Sequence, residues 1–172
     1  PRPGVQCYSA SKGAVHVHGG FLVKIAQEGT AQLVFLGDSI TAGWGSKKEI
    51  WDKAFGQYKP ANFGIGGDRT QHVLWRIQNG ELDGIKPKAV VLMIGTNNLL
   101  MEDYAFLPDY ERILAELTTS IDPERITITS LPPFVADHLA PSAIPRMNAG
   151  LHQLSLAKKT AFLDLFSAFS TE

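Results

Sequence analysis

With 172 residues, 44% hydrophobic and 19% charged, the chain is long enough for one domain with a substantial core and too apolar for a disordered tail. A net charge of −1 supplies no basic field, which argues against nucleic acid or an anionic membrane surface as a partner. The single cysteine, Cys7, excludes an intrachain disulfide while leaving secreted and cytoplasmic locations both open, and no apolar run nears the ~20 residues of a membrane span.

Residues 1–20 are rich in Gly, Ser and His and read as a surface N-terminal segment. No signal peptide is visible, and the chain opens on Pro1, as a processed protein or a fragment does. Phe21, Leu22, Ile25 and Ala26 have helical spacing with Gly29 just beyond, predicting a helix over 21–27. Residues 32–36 form a short apolar strand, and 61–63 a weaker one followed by the turn-rich Gly64-Ile65-Gly66-Gly67. Residues 70–79 are amphipathic through Val73, Leu74 and Ile77, with Gly80 as a stop. The strongest strand is 89–94, apolar on both faces, ending in Gly95-Thr96-Asn97-Asn98. Pro108 opens a helix to about residue 119 with Ile113, Leu114 and Leu117 on one side. A fourth strand, 126–131, stops at Pro132-Pro133; 144–158 is helical, and 161–165 is a fifth strand.

Strands alternate with helices from end to end. That pattern predicts one α/β domain over 1–172, with a five-stranded parallel sheet covered by helices on both faces. The helix that should cover the fifth strand is missing before Glu172, so the chain looks cut short.

In a parallel sheet the loops leaving the strand C-terminal ends meet at one edge, where ligands bind. Three such loops carry chemistry-capable residues. Ser39, in Gly37-Asp38-Ser39, is either a nucleophile or, with Asp38, the cap of a short helix. Gly66-Gly67 either lets a backbone N–H approach a ligand or makes an ordinary turn. Asn97 either donates its amide to an oxyanion or sits in a turn. Nucleophile, backbone donor and amide donor after three consecutive strands are together the set that acyl transfer demands.

The stretches VFLGDSITAGW and NFGIGGDRTQHVLWRIQNGELDGIKPKAVVLMIGTNN, and more weakly the remainder, are similar to the SGNH (GDSL-type) hydrolases. The likeness is greatest to the branch holding the catalytic subunits of platelet-activating factor acetylhydrolase. It implies a flavodoxin-like three-layer α/β/α fold. It also implies hydrolysis of short-chain, acetyl-like esters of carbohydrates or lipids through an acyl-enzyme, with no cofactor and no metal. It makes Ser39 the nucleophile, and the N–H groups of Ser39 and Gly67 with the Asn97 amide the oxyanion hole. Asp38 orients the nucleophile loop, while Arg69, His72 and Trp75 pack and fix loops.

The family's last block, Asp-x-x-His, supplies the base. The five histidines are His16, His18, His72, His138 and His152, and three residues before them stand Gly13, Val15, Arg69, Val135 and Ala149, so the block is absent. Three explanations stand open. The chain is truncated after the matching FLDLFSAFSTE; an in-chain histidine substitutes, His138 being the candidate because it follows Pro132-Pro133 at the ligand edge; or a second chain, as in a homodimer, provides the base. The bland reading of His138 is a solvated loop residue, and of His72 a structural one. His16 and His18 could pair on a metal but fit an exposed segment as well. Trp44, Trp51 and Phe55 either line an acyl or sugar pocket or face the core. The competing function is a catalytically incomplete SGNH-fold binding module.

Overall fold

A strand buried on both faces needs neighbours on both sides, and the most apolar run in the chain finds them. The structure, a computed structural model, describes residues 29–170. Cys7, His16, His18, the 1–20 segment and the helix expected over 21–27 lie outside the described residues. Among those described, β1 (Leu33–Gly37), β2 (Pro60–Gly64), β3 (Ala89–Met93), β4 (Ile126–Thr129) and β5 (Ala161–Leu163) form one all-parallel sheet in the order β2-β1-β3-β4-β5. This is the flavodoxin-like strand order.

Register decides where the chemistry sits. Leu33 of β1 pairs with Pro60 and Ala89, and Gly37 with Gly64 and Met93. The first three strands therefore end level, and the loops carrying Ser39, Gly67 and Asn97 leave the sheet side by side.

The helices are α1 (Ser39–Ala42), α2 (Lys48–Phe55), α3 (Thr70–Gln78), α4 (Thr96–Leu100), α5 (Leu107–Leu117), α6 (Ala143–Lys158) and α7 (Leu165–Phe169). On one face of the sheet Val34, Leu36, Val90 and Leu92 share a core with Val73 and Leu74 of α3 and Ile113, Leu114 and Leu117 of α5. Tyr110 of α5 is fully buried, and its hydroxyl donates to the carbonyl of Leu92 at 3.2 Å, which satisfies the one polar atom it takes into the core. On the other face Phe35 meets the rings of Trp51 and Phe55 of α2, centroids 4.8 and 5.0 Å away.

Element ends differ from the sequence reading where side chains take over backbone partners. β4 stops at Thr129, short of residue 131, because the Asn148 side chain accepts from the Leu131 N–H at 2.7 Å and donates to its carbonyl at 3.0 Å. β5 stops at Leu163 because the Asp164 carboxylate accepts from the Ser167 N–H at 3.0 Å and caps α7. A five-residue helix thus stands where the sequence predicts strand to 165 and nothing after it. Phe166 of α7 packs on the core, while Leu163 of β5 is 48% exposed. No helix among the described residues is long and apolar enough to cross a membrane.

Candidate active site

β1 delivers its last residue into a space with no room for a side chain. A Cβ on Gly37 would lie 2.1 Å from Thr41 Oγ1 and 2.4 Å from the carbonyl oxygen of Met93. Asp38 follows and caps α1, its Oδ1 accepting from the Ile40 N–H at 2.9 Å. Asp38 is 1% exposed. Burial pushes its carboxyl above the usual range, opposed by the Ile40 N–H and reinforced by the charge of Asp68. The chain then turns outward, and Ser39, first residue of α1, is exposed. The cap and the exposed hydroxyl fall on different residues, so capping does not occupy Ser39.

The second loop is stapled to the first. The Ile65 N–H donates to the Gly37 carbonyl at 3.1 Å, and the Asn62 side chain donates to the Thr41 carbonyl at 2.8 Å while accepting from the Gly64 N–H at 2.9 Å. The Asp68 N–H closes the turn on the Ile65 carbonyl at 3.2 Å. Inside that turn Gly67 has φ +80° and stands in the open, nothing lying within 4 Å of where a Cβ would be. Backbone conformation, and not crowding, calls for glycine here.

The third loop supplies two asparagines with opposite fates. Asn98 is fully buried: its Oδ1 accepts from the Thr70 N–H at 3.0 Å, and its Nδ2 donates to Thr70 Oγ1, Gln71 Oε1 and Asp103 Oδ2. Asn97 is half-buried, and its Nδ2 donates to the Asp68 backbone carbonyl at 2.8 Å. That contact fixes which way the amide faces, since the reverse orientation would set two oxygens together. One of the two Nδ2 hydrogens is used in this way. The resemblance singles out Asn97; periodicity alone does not separate it from its neighbour.

Beneath the second loop lies a charge cluster that sequence reasoning missed. Arg76 (5% exposed) pairs with Asp68 Oδ2 at 2.8 Å and with the Glu81 carboxylate, and its Nη1 donates to the Phe63 carbonyl at 3.2 Å. His72 Nδ1 accepts from the Arg69 N–H at 3.1 Å, which uses that nitrogen's lone pair; Asp68 Oδ1 is 3.6 Å away. Burial pushes the Glu81 carboxyl up to about 7, against the pull of Arg76. A raised pKa means the folded state holds a proton that the unfolded state releases from about 4.5 upward. Stability from this group is complete below 4.5 and is lost as pH rises toward 7. Urea midpoints across that window should fall for the natural protein and run flatter for Glu81→Gln; equal slopes would remove Glu81 as the cause.

Trp44, Trp51 and Phe55 are half-buried and lie outside the main core cluster. Their rings pack at centroid distances of 5.2–5.8 Å and lean on Phe35. Among the described residues Trp44 and Trp51 also line a cleft of about 420 Å³ with Lys48, Asp52 and Asn62, and Ser39, Gly67 and Asn97 are not part of it. Trp75 is 47% exposed, so it packs only in part. His138 is exposed on the loop between β4 and α6, and His152, also exposed, lies 4.8 Å from the Phe162 ring. Among the described residues no hydrogen bond joins either to Ser39.

A model of the GDSL-like lipase/acylhydrolase family matches residues 35–172. The alpha1 subunit of platelet-activating factor acetylhydrolase IB from Rattus norvegicus is 54% identical over 67 residues, 39% of this chain and only 28% of that protein. A GDSL-like lipase from Bacteroides thetaiotaomicron superposes with a TM-score of 0.73 at 23% identity, over 91% of this chain and 80% of its own. A variant of an acetyl xylan esterase from Geobacillus stearothermophilus superposes with a TM-score of 0.62 at 16% identity, over 80% of this chain and 77% of its own. At such identities the two structures speak for the fold. The family model begins within β1 and runs through the other four strands and the three loops described above, and the chain belongs to the GDSL-like lipase/acylhydrolase family.

Proposed function

We propose that the protein is a serine esterase that hydrolyses short-chain, acetyl-like esters of carbohydrates or lipids through an acyl-enzyme, within a single domain. The observation that carries the reading is the Asn97 amide, oriented by the Asp68 carbonyl at 2.8 Å on a loop level with the one that bears exposed Ser39. Ser39 Oγ attacks the ester carbonyl carbon. The N–H groups of Ser39 and Gly67 and the second Nδ2 hydrogen of Asn97 receive the negative charge that develops on the carbonyl oxygen. The proton that Ser39 gives up ends on the departing alkoxide oxygen as the alcohol's hydroxyl. Water then cleaves the acyl–Ser39 ester, giving its hydroxyl to the acid and its proton back to Ser39 Oγ. Asp38 holds the nucleophile loop through its bond from Ile40. None of His72, His138 and His152 is assigned as the base. The acetylhydrolase subunit among the proteins similar to this chain lends weight to an acetyl-like acyl group.

Asn97→Ala in the full chain should lower kcat for p-nitrophenyl acetate ~10²–10³-fold with little change in KM, because the amide acts on the transition state. A fluorophosphonate should phosphonylate Ser39 with loss of hydrogen fluoride, raising the mass of the peptide that contains it by that of the reagent less HF. Unchanged turnover in Asn97→Ala would remove Asn97 from the oxyanion hole, and no turnover by the natural protein together with an unlabelled Ser39 would favour the binding-module reading instead.

A further inference from the structure

The second loop is tied down at Ile65 and Asp68 by backbone hydrogen bonds, but the two glycines between them have no neighbours of their own. Gly66 and Gly67 are exposed, no atom lies within 4 Å of a Cβ built on either, and Gly67 occupies the left-handed region. A two-glycine turn of this kind samples many conformations when unconstrained. Yet an oxyanion donor is effective only when it is held in position before the reaction begins. The constraint must therefore enter at the ends of the loop. Both ends converge on one buried side chain. The Arg76 guanidinium donates to the carbonyl of Phe63, just before the loop, and pairs at 2.8 Å with the carboxylate of Asp68, just after Gly67. Glu81, itself 4% exposed, pairs with Nη1, the nitrogen that also donates to Phe63. The Asp68 backbone carbonyl in turn receives the Asn97 amide.

We propose that Arg76 is a positioning residue for the oxyanion hole: its buried fork clamps both ends of the Gly67 loop and, through Asp68, aims the Asn97 amide. The proposal rests on the esterase reading and deepens it. Desolvating a guanidinium is unfavourable unless its donors are well matched, and replacing a buried pair by apolar side chains is often neutral or stabilising. Stability alone is therefore a weak reason for an arginine at this position. Nη1 serves the Phe63 carbonyl and Glu81 while Nη2 lies against Asp68, so two nitrogens of one planar group contact the two ends of the loop, where an ammonium has a single nitrogen.

The test is Arg76→Lys in the full chain, assayed on p-nitrophenyl acetate and normalised to folded protein by circular dichroism. A misplacement of about 1 Å predicts kcat lower by ~10–100-fold with KM within about twofold. A general loss of packing could also slow turnover, so the deciding measurement is a double-mutant cycle with Asn97→Ala. If Arg76 acts through the oxyanion hole, the double variant loses less than the product of the two single losses. Asp68→Asn, which keeps the backbone carbonyl and weakens the link to Arg76, carries the same cycle should Arg76→Lys fail to fold. Wild-type kcat in the folded variant, or strictly multiplicative losses in both cycles, overturns the proposal. Turnover that survives Ser39→Ala overturns the esterase reading itself; loss there with an unaffected Arg76→Lys removes only the clamp.

Discussion

Ser39→Ala in the full chain is expected to lower turnover of p-nitrophenyl acetate by more than about 10⁴-fold while leaving the protein folded. The two halves of this expectation have separate physical grounds. Ser39 is exposed, and the cap of α1 is made by Asp38, not by Ser39. Removing its hydroxyl takes nothing from the core and leaves the Ile40 N–H satisfied, so stability should move by no more than ~0.5 kcal/mol. The rate loss comes from removing the only atom that can form the acyl-enzyme, whereas losing an oxyanion donor merely weakens a charge interaction. The three lesions should therefore rank Ser39→Ala, then Asn97→Ala, then Arg76→Lys. Ester hydrolysis at more than a few per cent of the wild-type rate in folded Ser39→Ala would sink the serine mechanism, whatever happened at Asn97.

What the sequence makes legible is set by how local each signal is. β3 is readable from AVVLMI because burial on both faces demands it. α5 is readable because Ile113, Leu114 and Leu117 recur at helical spacing, and all three are buried. The end of β5 and the start of α7 hinge on one aspartate that caps where an apolar run continues, and periodicity is blind to that. α2 is harder still: no residue in it is buried, and its aromatics point to a separate cluster under Phe35. At the site, the three loops follow from strand order, and the resemblance supplies the choice of Asn97 over Asn98. The Arg76 cluster could not be read off. An arginine beside Val73, Leu74 and Ile77 looks like the polar flank of an amphipathic helix. Its partners Phe63, Asp68 and Glu81 come from β2, the glycine loop and the segment beyond α3.

The closest approach of a glycine to main-chain atoms in the site is also its most fragile point. Gly64 ends β2 directly under α1, and a Cβ there would lie 2.2 Å from the backbone nitrogen of Ala42 and 2.7 Å from the carbonyl carbon of Thr41. A side-chain neighbour could rotate away; these are main-chain atoms of the helix that begins at Ser39, held by Asn62 on the Thr41 carbonyl. Gly64→Ala must therefore lift α1 off β2 or bend the strand end. The expected loss is ~3 kcal/mol or more, seen as a Tm lower by about 6–12 °C. Gly66→Ala is the control: its Cβ meets nothing within 4 Å, and the expected change is within ~0.5 kcal/mol. Thermal unfolding of both variants checks the pair, and a Gly64→Ala protein that melts with the natural one would mean that α1 does not rest on β2. Whatever fraction of Gly64→Ala folds should also be slow, since the shift that admits the methyl separates the Ser39 loop from the Gly67 loop. On the esterase reading, Gly64 keeps the Ser39 and Gly67 loops within reach of one carbonyl without touching substrate, so small size at this position would serve turnover as well as folding.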